Sequence, residues 1–68
     1  MNDENFNMQI RKFLKKVGIN SQREIEEAVR NAITEGKLKG NEKLSARMTL
    51  TVDGVGLAST IDGSISLE

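Results

Sequence analysis

The chain has 68 residues, ten basic and ten acidic, with no net charge at neutral pH. It has neither Cys nor His, which excludes disulfides and thiolate metal centres and removes the commonest metal ligand and general base. This is room for one small domain, 1–68, which would bury only about 60% of its unfolded surface. Domains below roughly 70–80 residues usually need a disulfide, a metal or an oligomer, so self-association is the expected source of extra stability. Residues 1–43 carry nine Lys/Arg against seven Asp/Glu, and residues 44–68 one against three. So mild an asymmetry makes no global case for nucleic acid or an anionic membrane. The polar, acidic start Met1–Asn5 is unlike a signal or transit peptide, and no run approaches the apolar length of a membrane span. The expected location is cytoplasmic.

Residues 3–17 are predicted to form an amphipathic helix. Phe6, Ile10, Phe13, Leu14 and Val17 make one stripe at helical spacing. Asn2 or Asp3 can cap its start, and Gly18 is placed to end it, after Lys15 and Lys16. A second helix is predicted over 22–35. Ser21 and Glu24 have capping-box spacing, Ile25, Ala28, Val29, Ala32 and Ile33 form a second stripe, and Gly36 terminates it. So short a connection predicts an αα-hairpin or a helix-turn-helix corner.

After a connection containing Leu38, the segment 44–52 alternates apolar and polar residues, as does 55–67. Asp53-Gly54 between them predicts a β-hairpin with a two-residue turn. That register sets Val52 opposite Val55, Leu50 opposite Leu57, Met48 opposite Ser59 and Arg47 opposite Thr60. Asp62-Gly63 reads as a turn or bulge, and Gly36 to Gly40 as a possible short third strand. The expected fold is α+β, ordered α-α-β-β: two N-terminal helices packed on one face of a C-terminal antiparallel hairpin, in two layers.

Several patterns suggest chemistry. Arg11, Lys12, Lys15 and Lys16 lie opposite the first stripe, and with Lys37, Lys39 and Lys43 they make a candidate phosphate-contacting surface. Helix-helix-hairpin order also resembles part of a winged helix. Against this, there is no Trp or Tyr for base stacking, and Glu24, Glu26, Glu27 and Glu35 crowd the would-be recognition helix. Asp53 and Asp62 do not meet Ca²⁺-loop spacing, and the glycines form neither phosphate-loop motif. Gly56 falls within a predicted strand for no evident reason. The serines lack a histidine to activate them, so no catalytic residue, metal ligand or cofactor is expected.

The segments Arg11–Gly18, Ser21–Glu26, Gly36–Gly40 and Met48–Val52 resemble, together, a family of short bacterial proteins known only as a domain of unknown function. The resemblance covers nearly the whole chain and implies a free-standing bacterial cytoplasmic protein. It supplies no site residues. The expected role is a non-enzymatic protein-interaction module that forms a homo-oligomer or binds another protein. The alternative is a nucleic-acid-binding accessory protein with a winged-helix-like αα-hairpin.

Overall fold

One continuous helix, α1 (Asp3–Thr34), stands where two were expected. It is followed by β1 (Lys43–Val52) and β2 (Leu57–Ser66), which pair into a two-stranded antiparallel sheet. The computed structural model describes residues 1–68 and divides into two compact units, Met1–Lys37 and Leu38–Glu68. The class is α+β, as expected, but α-β-β. With no second helix there is no αα-hairpin to lie on the sheet and no winged-helix arrangement.

The helix begins where the sequence suggested. Asn2 is the N-cap, extended at φ −93° and ψ 102°, and its Oδ1 accepts a hydrogen bond from the Asn5 amide at 3.1 Å. Asp3 and Glu4 lie in the first turn, where the helix dipole favours negative charge. The expected break at Gly18 does not occur. Gly18 keeps a negative φ and the helix runs through it. A mid-helix glycine costs roughly 1 kcal/mol relative to alanine, less than opening two new ends with unsatisfied amides and carbonyls. Nor is Ser21 a cap, and the surrounding residues are held by helical contacts instead. Gln22 Nε2 donates to Glu26 Oε1 at 2.9 Å, and Arg30 lies 3.9 Å from Glu26, each four residues along.

The end of α1 matches expectation. The Gly36 amide donates to the Ile33 carbonyl at 3.1 Å and the Lys37 amide to the Ala32 carbonyl at 2.8 Å. This is the Schellman arrangement, and Gly36 sits at φ 78° where it requires a left-handed residue.

The hairpin forms, but with a four-residue connection, Asp53–Gly56, that pairs Val52 with Leu57. A two-residue turn would have forced Asp53 to positive φ. Here the left-handed conformations fall only on glycines, Gly54 at φ 85° and Gly56 at φ 65°, which explains Gly56. The shift is two residues, so each side chain stays on its expected face. Partners change: Met48 now faces Ile61, Leu50 faces Ser59 and Ala46 faces Gly63. Arg47 faces Asp62 and its Nε lies 2.8 Å from Asp62 Oδ1, a pair the shorter turn would not have made. Pairing is unbroken at Asp62-Gly63, so there is no second turn or bulge. The Leu67 amide donates to the Glu42 carbonyl at 2.9 Å, which extends the ladder by one step. The Gly36 to Gly40 segment does not add a third strand.

Gly18→Ala tests the unbroken helix. A Cβ at Gly18 meets nothing within 4 Å. Thermal melts followed by circular dichroism should show stabilisation of up to about 1 kcal/mol. A glycine ending a helix at positive φ would give the opposite sign.

Candidate interaction surface

No residue of the chain is buried. On α1 the first stripe, Phe6, Ile10, Phe13, Leu14 and Val17, and the second, Ile25, Ala28, Val29, Ala32 and Ile33, lie along one unbroken helix. Phe6 is 49% exposed, Phe13 52% and Ile25 39%. On the hairpin, β1 places Leu44, Ala46, Met48, Leu50 and Val52 on one face, and β2 adds Leu57, Ile61 and Ile65. Leu57 is 42% exposed and Ile61 61%. Leu44, Leu50 and Ile65 are half-buried.

The other face of the hairpin is polar, with Ser45, Thr49, Thr51, Thr60, Ser64 and the Arg47–Asp62 pair. The candidate phosphate contacts divide between the two units. Arg11, Lys12, Lys15 and Lys16 are exposed on α1 and none is ion-paired. Lys37 pairs with Glu35 at 2.9 Å just beyond the helix, while Lys39 and Lys43 belong to the hairpin unit. No group of three or more Asp or Glu is placed to hold a metal ion. No helix is long and apolar enough to cross a membrane.

Sequence reasoning passed over Glu42. Its Oε2 accepts the Lys39 amide at 2.9 Å, and its Oε1 accepts the amides of Gly40 at 2.9 Å and Asn41 at 3.2 Å. Gly40 at φ 104° turns the backbone so that these donors converge. The Lys39 bond first, then that of Gly40, holds the carboxyl below its ordinary value, against a smaller upward push from desolvation. The only sequence signal was a lone acid two residues after a glycine among lysines.

The fold and its surface define a small α+β protein whose candidate site is its own exposed apolar area. The chain belongs to a family of unknown function, DUF6494, whose model matches residues 1–68. No curated protein and no solved structure matches it.

Because Glu42 is held in its charged form, the loop it closes is stable at neutral pH. That contribution is lost as pH falls below the ordinary value of 4.5 and through the lowered one. In an NMR titration the Glu42 carboxyl should show an inflection below 4.5, and the Lys39, Gly40 and Asn41 amide signals should move with it. Glu42→Gln should abolish that coupled movement at all three amides.

Proposed function

We propose that this protein is a non-enzymatic interaction module that works by self-association. The supporting observation is that each unit carries an apolar face, on α1 and on one side of the hairpin, that its own residues do not cover. Covering a large aliphatic side chain is worth about 1.5–3 kcal/mol, and a 68-residue chain needs that contribution to hold its fold. A second copy presents matching faces at no cost in new sequence, and closed two-fold pairing is the commonest solution. The chain also has no histidine or cysteine, the side chains that most often serve as general base or thiolate nucleophile.

Four unpaired cations on one helix face favour the nucleic-acid reading as the alternative. It has less support, since the same helix carries Glu24, Glu26 and Glu27 and no aromatic residue outside the apolar stripe.

Sedimentation equilibrium of the full chain should give a dimer or larger species at micromolar concentration. Ile61→Asp, on the hairpin face, should lower the melting temperature or weaken the assembly about tenfold or more. A monomer that melts cooperatively at every concentration would overturn the proposal. Titration of labelled duplex DNA and single-stranded RNA at low salt should show no binding. Saturable binding that weakens steeply with salt would favour the alternative.

A further inference from the structure

Between Glu4 and Glu24 the helix carries no acid and five cations, Arg11, Lys12, Lys15, Lys16 and Arg23. None of the five is ion-paired. In the same stretch Phe6, Ile10, Phe13, Leu14 and Val17 share one side of α1. From residue 5 to residue 18 the helical repeat puts no polar side chain within the arc they span. Arg11 and Lys16 fall just beyond a quarter-turn to either side of the middle of that arc, and Lys12 and Lys15 lie further round. The arc then ends, because Glu24, five turns after Phe6, stands on the same line of the helix. We propose that the first half of α1 is a membrane-surface helix. It lies flat on an anionic bilayer, with Phe6, Ile10, Phe13, Leu14 and Val17 dipped into the boundary between headgroups and acyl chains.

An anionic bilayer is the occupant that uses both features at once. Its hydrocarbon takes the apolar arc. The flanking Arg11 and Lys16 can run their stems along apolar surface and set their charges at the level of the lipid phosphates. Lys12 and Lys15 face water but remain close enough to the negative surface to feel its potential. Each such cation strengthens binding about fivefold. Nucleic acid would engage the cations and leave two phenylalanines and three aliphatic side chains without a partner.

Charge also decides which part of the helix lies on the surface. Residues 24–35 hold Glu24, Glu26, Glu27 and Glu35 against Arg30 alone, and an anionic surface repels them. Phe6 to Val17 span about 17 Å along the helix axis, which suits a segment that rests on a bilayer. No helix is long and apolar enough to cross one. The site does not depend on the self-association proposed above, for which it leaves the hairpin face.

The chain has no Trp, so one introduced at a chosen position reports its own surroundings. The full chain carrying Phe13→Trp is mixed with vesicles of phosphatidylcholine containing about one third phosphatidylserine. At saturating lipid its emission should shift to the blue and its quenching by acrylamide should fall. Lys12→Trp, on the far side of α1, should stay open to the quencher. In co-sedimentation the wild-type chain should bind pure phosphatidylcholine vesicles about tenfold or more weakly than the anionic ones, and Lys15→Glu, Lys16→Glu should lose about as much on the anionic ones. Circular dichroism checks that each variant keeps α1. Absence of binding to the anionic vesicles overturns the proposal, as does equal binding to both kinds. Binding that leaves the Phe13→Trp probe as quenchable as in buffer overturns it too. Saturable binding of duplex DNA without vesicle binding would assign the same cations to nucleic acid instead.

Discussion

Everything in this molecule depends on two amphipathic elements that cannot cover themselves. A helix carries its apolar residues as a stripe along one side, and a two-stranded ribbon carries them on one face. Their backbone hydrogen bonds are satisfied internally, so secondary structure alone is complete. Their side chains are not, and every one of them stays at least partly in contact with solvent. Hydrophobic burial is the dominant favourable term in folding, and neither a lone helix nor a lone hairpin supplies much of it from its own residues. That shortfall is why the functional reading centres on association and not on a pocket.

The remaining order comes from local devices at the ends of elements. Asn2 satisfies a free amide at the start of α1, and the pair of bonds at Ile33 and Ala32 satisfies free carbonyls at its end. Glu42 gathers three amides of the connection onto one carboxylate just before β1. Arg47 and Asp62 pair across the strands on the polar face. Caps are worth about 1 kcal/mol each and exposed ion pairs less. Such devices set where elements begin, end and align, but they do not replace an interior.

The places where sequence reasoning went astray have specific causes. Gly18 and the Ser21–Glu24 spacing each match a boundary signal, yet both are also compatible with a helix interior at modest cost. No proline enforces a break. Asp53-Gly54 matches a tight-turn signal, but Gly56 offers a second position for positive φ and releases Asp53 from it. Glu42 could not have been found by composition, because its role depends on three amides brought together by the backbone. The two apolar faces were legible, since the period of the sequence survives both corrections.

The sequence by itself determined the α+β class, the helix start at Asn2 and its stop at Gly36, the hairpin, and which side chains share each face. All of these follow from short-range periodicity and capping chemistry within a few residues. Only the three-dimensional structure decided that α1 is continuous, that the ribbon pairs with Val52 opposite Leu57, and that Glu42 closes the connection. Each of those is a competition between alternatives that satisfy the same local pattern. The outcome is set by energies spread over a whole helix, a whole ladder or a folded loop, which no short window of residues contains.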